Sequence, residues 1–141
     1  MKSLLLRLGV ILVAIGFTLF YHAEVWGVDW KHYGDDEKFS AYYDVQSITR
    51  PSKNIVRVWL RWDWTEKGVM VMVGNFGKKY ENLSHSIDLH EINCVEKTIH
   101  SLSLTAYDNK RGVIYSSSSP LKWDSIVPGS IIEILYKKVC K

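Results

Sequence analysis

The sequence predicts an α+β fold: a sheet of about six antiparallel strands with one C-terminal helix packed on it and tied to it by a disulfide. Two observations predict the layers. Apolar and polar residues alternate in short runs, separated by turn residues, from Val28 to Tyr115, which is typical of antiparallel strands. After Pro128 the apolar period changes to that of a helix. A third observation is that the first residues have the layout of a secretory signal, which would place the two cysteines in an oxidising compartment.

The N-terminal segment has the layout of a secretory signal. Lys2 and Arg7 both precede an uncharged, mostly apolar run over residues 8–20. As a helix this run would reach only about 20 Å, against roughly 30 Å of bilayer hydrocarbon, which favours a cleaved signal peptide. A retained anchor over residues 4–23 and a soluble amphipathic start stay open. We expect residues 1–23 to be a signal peptide or short signal anchor and residues 24–141 to be a single domain.

The charge balance indicates no nucleic-acid partner. Loss of residues 1–23 removes Lys2 and Arg7 and no acidic residue, so the formal charge falls from +3 to +1. The remaining Lys and Arg residues are scattered among acidic ones and form no basic block. We expect the chain in the bacterial periplasm, at the cell surface or outside the cell, with membrane contact only through residues 4–23 if they are uncleaved.

The first strands are predicted over residues 30–34, 38–48 and 54–64, with a turn over residues 50–54. The last of these is the clearest. One face carries an apolar set, and the other carries a mostly charged set. The apolar set is Val56, Val58, Leu60, Trp62 and Trp64, and the other set is Arg57, Trp59, Arg61 and Asp63.

The middle of the chain is less regular. Residues 68–83 have an apolar run that favours a strand, although glycines interrupt it and its end could begin a short helix. Residues 85–94 alternate through Ile87 and Leu89 and then change phase at Ile92, which indicates a bulge. Residues 98–107 alternate, with Leu102, Leu104 and Ala106 predicted inward, and residues 113–116 return as the final strand.

The C-terminal helix has a start signal and an apolar face. Ser130 and Glu133 have the spacing of a capping box. An apolar stripe about 100° wide faces the predicted sheet, and charged residues lie opposite. The stripe comprises Ile131, Ile132, Leu135 and Val139.

The two cysteines are Cys94 and Cys140. In the oxidising compartment that the N-terminal segment indicates, they would form a disulfide, which could stabilise the fold by up to about 4 kcal/mol because it closes a loop of roughly 47 residues. Two alternatives stay open: a metal ligand, with His85, His90 and His100 nearby in sequence, and a free or intermolecular thiol. No CxxC or HxxxH spacing supports the metal reading, and we predict no metal site.

Several short motifs occur together in one order. They are YYD at 42–44 with SI at 47–48, EINC at 91–94, YD at 107–108, Trp123, PGS at 128–130 and Cys140. With these motifs the chain resembles the bacterial surface-adhesin protein E family over about residues 30–141. The resemblance implies a six-stranded antiparallel sheet with a C-terminal helix held by a disulfide. It also implies adhesion to host extracellular-matrix and serum proteins, some haem binding, and dimerisation.

No catalytic motif is present, and we expect the protein not to be an enzyme. The sequence has no GxSxG, HExxH or glycine-rich phosphate loop. Asp88 and Glu91 flank His90 and could do acid/base work, but a solvated strand face explains Asp88 and His90 as well. We predict no obligatory cofactor. If the protein carries haem, His90 or His100 would be the axial ligand, since covalent CxxCH attachment is absent.

The most distinctive candidate surface is the Trp59 patch: Arg57, Trp59 and Arg61 on the outer face of the clearest strand. Trp and Arg are enriched in interface hot spots, so the patch is a candidate protein-binding site. The alternative is that Trp59 contacts a loop or the segment 68–83. The exposed edges of the sheet could also pair with another chain, and homodimerisation by this route is a hypothesis.

The function predicted from these features is that of an exported, non-enzymatic binding module of the bacterial cell envelope. Its partner would be an extracellular-matrix or envelope protein, recognised in the manner of an adhesin. The alternatives are a periplasmic accessory or structural subunit held by an uncleaved N-terminal anchor, and a carrier of a small ligand or haem.

Overall fold

The computed structural model describes residues 27–141, and the predicted signal peptide or anchor lies outside this range. Within it, eight antiparallel strands form one sheet and two helices pack against it. Neither helix of residues 27–141 has both the length and the apolar character needed to cross a membrane. The strands are β1 Trp30–Asp35, β2 Phe39–Asp44, β3 Thr49–Ser52, β4 Ile55–Trp64, β5 Leu83–Asn93, β6 Thr98–Asp108, β7 Val113–Ser117 and β8 Asp124–Ser125; the helices are α1 Glu66–Phe76 and α2 Ile131–Val139.

The sheet confirms the predicted architecture. Its main path runs β1-β2-β4-β5-β6-β7, which is six strands. Two short strands add to it, β3 beside β4 and β8 beside β6. The second predicted strand is shorter than expected, because Asp44 ends β2 and caps the 3-10 turn Val45–Ser47 by accepting from the Gln46 amide at 3.1 Å. Residues 50–52 of the predicted turn form most of β3 instead, and the chain turns at residues 53 and 54.

Strand β4 separates the two faces of the sheet as its alternation predicts. We call the face with Val56, Val58 and Leu60 the helix face, and all three side chains are fully buried there. Arg57, Trp59 and Arg61 lie on the opposite face, which we call the Trp59 face. Both helices pack on the helix face, since each contributes to a cluster that contains helix-face residues of β4 or β6.

Helix α2 begins and packs as predicted. The Ser130 hydroxyl accepts from the Glu133 amide at 3.3 Å, and the Glu133 carboxylate accepts from the Gly129 amide at 2.8 Å. Leu135 and Val139 are buried in the main core. The Arg50 guanidinium donates to the Val139 carbonyl at 3.1 Å, which satisfies one of the helix's terminal acceptors.

The disulfide joins the end of β5 to the end of α2. The sulfurs of Cys94 and Cys140 are 2.01 Å apart, and 46 positions separate the two residues in sequence. The Tyr136 hydroxyl donates to the Cys94 carbonyl at 2.8 Å beside it. The predicted bond is therefore confirmed, and neither cysteine is left as a metal ligand or a free thiol.

The strand predicted over residues 68–83 was wrong, because the chain forms helix α1 and the 3-10 turn Lys78–Tyr80 there. The Thr65 hydroxyl caps α1 by accepting from the Gly68 amide at 3.2 Å. Gly68 is required at that position, since a Cβ would collide with the Lys38 carbonyl oxygen. The valines and methionine at positions 69, 72 and 73 then pack on the second core cluster.

Strand β5 turns towards the core the two residues for which a solvated face was predicted, Asp88 and His90. Register with β4 pairs Leu60 with Asp88 and Val58 with His90, so both polar residues lie on the helix face, while Ile87 and Leu89 lie on the Trp59 face. No change of phase occurs in β5 against β4. The irregularities lie in the pairing with β6, where Ser84 of β5 and Leu102 of β6 are extra residues. Leu104 and Ala106 lie on the helix face as predicted.

Candidate functional site

Trp59 lies near the middle of a sheet face that carries neither helix of the described residues. Its side chain stands opposite Leu89 on β5 and is 36% exposed. The segment 68–83 packs on the helix face, so the predicted alternative contact between that segment and Trp59 does not form. Among residues 27–141, Trp59 therefore remains a large aromatic side chain that faces solvent from the sheet itself.

A shallow groove of about 390 Å³ runs beside Trp59. Residues before and within β1, the end of β2 and the turn after it, and strands β4, β5 and β6 line this groove. Its apolar and aromatic walls include Val28, Trp30, Trp59, Ile87 and Tyr107. Asp44, Ser47 and Thr105 are the polar residues of the lining. This composition, with an apolar centre and a few polar groups, is typical of a recognition surface.

Arg57 is held by Glu91 on the neighbouring strand. Its Nε and Nη2 atoms donate to one Glu91 oxygen at 3.0 and 2.7 Å. The other Glu91 oxygen lies 3.0 Å from His100 Nε2. Burial works to raise the pKa of Glu91, but the hydrogen bonds and positive charges of His100 and Arg57 outweigh burial and hold the pKa below its usual value. The Arg57 charge is thus matched within the sheet.

His100 connects this network to the segment before β8. Its ring stacks on Trp123 with centroids 3.8 Å apart, and its Nδ1 lies 3.1 Å from the Leu121 carbonyl oxygen. Trp123 was noted in the sequence only as part of a family motif. In the structure, it stacks on the nearly buried His100 ring on the Trp59 face.

Arg61 has a carboxylate partner too. Its Nε donates to Asp63 at 2.7 Å. His85, opposite Asp63, stacks on Tyr107 with centroids 5.0 Å apart. Burial, and then the positive charge of Arg61, lower the pKa of His85 below its usual value. The structure brings Arg57, Trp59 and Arg61 to one face, as the alternation of β4 predicts, and both arginines are paired with carboxylates there.

The two predicted haem-ligand candidates lie on opposite faces of the sheet. His100 is on the Trp59 face, whereas His90 is on the helix face with its side chain only 14% exposed. The two rings cannot bind one iron from both sides. Within residues 27–141, no three His, Cys, Asp or Glu side chains converge as metal ligands would.

The solvated face expected for Asp88 and His90 was wrong. The Asp88 side chain is 13% exposed, accepts from Trp62 Nε1 at 2.9 Å, and lies 3.6 Å from His90 Nε2. Burial, and secondarily the negative charge of Asp88, raise the pKa of the Tyr33 hydroxyl above its usual value. Tyr33, Asp88 and His90 therefore form a largely buried polar cluster on the helix face of the sheet.

The family model described as surface-adhesin protein E matches residues 30–141. The fold is similar to that of a crystal structure of Haemophilus influenzae protein E, with a TM-score of 0.50 and 13% sequence identity over 77% of this chain and 91% of that chain. At this identity the likeness concerns the fold. No curated protein is significantly similar in sequence.

Proposed function

The chain belongs to the surface-adhesin protein E family, and on that premise we propose that it is an exported, non-enzymatic module that recognises proteins at the bacterial cell surface. The Trp59 face is the contact surface in this proposal. Its partner is an extracellular-matrix or envelope protein. Family membership supports the adhesin-like role, and the observation that carries the choice of surface is the exposed Trp59 beside its apolar groove.

The chemistry of the Trp59 face favours a protein partner over a charged small molecule. Arg57 and Arg61 already have carboxylate partners, so the face presents little uncompensated charge. An aromatic centre with a rim of satisfied polar groups is the usual anatomy of a protein interface. The paired arginines can still form hydrogen bonds through their remaining donors, which would add specificity at the rim.

We expect Trp59→Ala to weaken capture by a purified extracellular-matrix protein at least about tenfold, because aromatic hot spots at interface centres contribute about 2 kcal/mol or more. The free energy of unfolding should fall by only about 1 kcal/mol, since Trp59 stands on a half-exposed sheet face. A panel of immobilised matrix proteins measured by surface plasmon resonance, together with urea unfolding, gives both numbers.

Met70→Ala is the matched control. Met70 is a large exposed side chain on α1, on the other side of the sheet, and should leave capture unchanged. If Trp59→Ala and Met70→Ala behave alike towards a partner that the wild type binds, the Trp59 face is not the contact surface. A loss of unfolding free energy of several kcal/mol in Trp59→Ala would place the ring in the core instead.

We propose further that residues 1–23 are a signal peptide removed on export. The expected result is an intact mass equal to that of residues 24–141 for protein isolated from its native envelope. A mass that includes residues 1–23 would favour the accessory subunit held by an uncleaved anchor. Protease treatment of whole cells separates a surface location, which exposes the domain, from a periplasmic one.

A further inference from the structure

A second concave surface lies on the helix face, between α1 and the sheet. It is a cleft of about 300 Å³. Five of its eleven lining residues are aromatic: Phe39, Trp62, Trp64, Tyr80 and Tyr115. Ligand pockets in proteins span roughly 300–1,000 Å³, so this cleft has room for a molecule of about one ring.

The cleft contains one carboxylate, that of Asp88. Asp88 lines the cleft together with Ser86, which lies two residues away on the same face of β5. Trp62 Nε1 donates to Asp88 Oδ2 at 2.9 Å, and Trp64 Nε1 donates to Ser86 Oγ at 3.2 Å. These two bonds fix the positions of the two indole rings that line the cleft.

The Asp88 carboxylate has unused acceptor capacity. No donor among residues 27–141 lies within hydrogen-bonding distance of its buried Oδ1 atom. His90 Nε2 is 3.6 Å from the other oxygen, which is beyond a normal hydrogen bond. An ionised carboxylate can accept about four hydrogen bonds, and a buried one is costly when it lacks donors. Because Oδ1 itself is closed to a water-sized molecule, a ligand in the cleft would donate to the remaining lone pairs of Oδ2, beside Trp62 Nε1, and so partly compensate the buried charge.

The walls and the mouth narrow the choice of ligand. A cation beside indole and phenol rings is attracted to their faces, so the aromatic walls and Asp88 favour the same charge. At the rim, Lys79 Nζ lies 5.1 Å from the Tyr80 ring centroid and 5.3 Å from that of Tyr115. This lysine disfavours a second positive charge at the outer end of a ligand.

We propose that the cleft binds a small apolar amine, with its ring or alkyl body between the aromatic walls and its single ammonium group donating to Asp88. This site is independent of the Trp59 face, which lies on the other side of the sheet. It assigns the chain a small-molecule specificity in addition to protein recognition.

The test compares ligands of equal size and different charge on residues 24–141. We expect 2-phenylethylamine to bind saturably, with Kd in roughly the 0.1–1 mM range for so few atoms, and 2-phenylethanol to bind at least about tenfold more weakly, because hydrogen bonds to charged groups are the stronger ones. Calorimetry gives the affinities. In NMR spectra, the Trp62 Nε1–H signal should shift, whereas that of Trp59 should not.

Three variants locate the site. Asp88→Asn keeps an acceptor for Trp62 but removes the charge, and should reduce amine affinity at least about tenfold. Met72→Trp fills the cleft from α1 without altering Asp88, and should abolish binding of both ligands. Asp124→Asn is the matched control, since Asp124 is an exposed carboxylate away from the cleft.

Three results would each contradict amine binding in the cleft. Equal affinity for the amine and the alcohol, unchanged amine binding in Asp88→Asn, or no saturable binding of either probe would overturn the proposal. If Asp88→Asn fails to fold, Met72→Trp decides: retained binding overturns the site, and lost binding with an unchanged fold supports it. Capture of matrix proteins by the Trp59 face should be unaffected by Met72→Trp, so failure of one proposal leaves the other standing.

Discussion

Replacing both cysteines, in the variant Cys94→Ala with Cys140→Ala, is expected to lower the free energy of unfolding by about 4 kcal/mol. The bond closes a loop with a sequence separation of 46 and so restricts the unfolded chain. It also holds a nine-residue helix that would be marginal alone in water. Urea unfolding, followed by tryptophan fluorescence and extrapolated to zero denaturant, measures the loss.

Reduction of the wild type provides the control for this variant. Wild-type protein in excess reductant should approach the stability of the double variant, and the variant itself should not respond to reductant. A loss below about 1 kcal/mol would mean that packing alone holds α2 on the sheet. Hydrogen exchange then adds a local readout, because amides in residues 131–139 should lose protection before those of β4 and β5.

Leu135→Ala is expected to cost about 3 kcal/mol of unfolding free energy. Leu135 is fully buried in α2 and belongs to the main core with Val56, Val58 and Leu60. Truncation removes its transfer free energy and leaves a cavity beneath the helix, a change that costs 2–5 kcal/mol in roughly comparable core positions. Thermal and urea unfolding both measure it.

The neighbouring residue supplies a matched control. Ile134 lies on the same helix but is 43% exposed, so Ile134→Ala shortens a side chain of the same size while removing less buried surface. We expect it to cost less than about 1 kcal/mol. Equal losses in the two variants would show that α2 is stabilised by something other than the contact of Leu135 with the sheet.

The candidate binding face was predictable because β4 is regular. Its alternation places Trp59 opposite the apolar set whatever the neighbouring strands do, and the structure places it there. Its arginine partners were not predictable. Glu91 meets Arg57 only because β4 and β5 pair in one register, and nothing in the spacing of 34 residues between them indicates that contact.

The face of β5 was mispredicted for a related reason. Ile87 and Leu89 are apolar, so the strand alone favours turning them inward. Pairing with β4 turns Asp88 and His90 towards the helix face instead. Ile87 and Leu89 then lie on the Trp59 face, beside Arg61 and Trp59. Both sides of this central strand are partly buried, and alternation then does not distinguish them. The amine cleft follows from this register, since it depends on Asp88 facing α1.

Local signals by themselves determined the parts of this protein that depend on neighbours in sequence: the alternation of β4, the Ser130 cap of α2, and the pair of cysteines that an exported chain would join. Tertiary structure decided the rest. Residues 66–76 are rich in valine and glycine, yet they form a helix, because Thr65 caps it and Gly68 lies against the Lys38 carbonyl. The Thr65 cap is local, but the approach of Gly68 to Lys38 joins segments about thirty residues apart, and the packing of the helix on the sheet outweighs the strand propensity of the run.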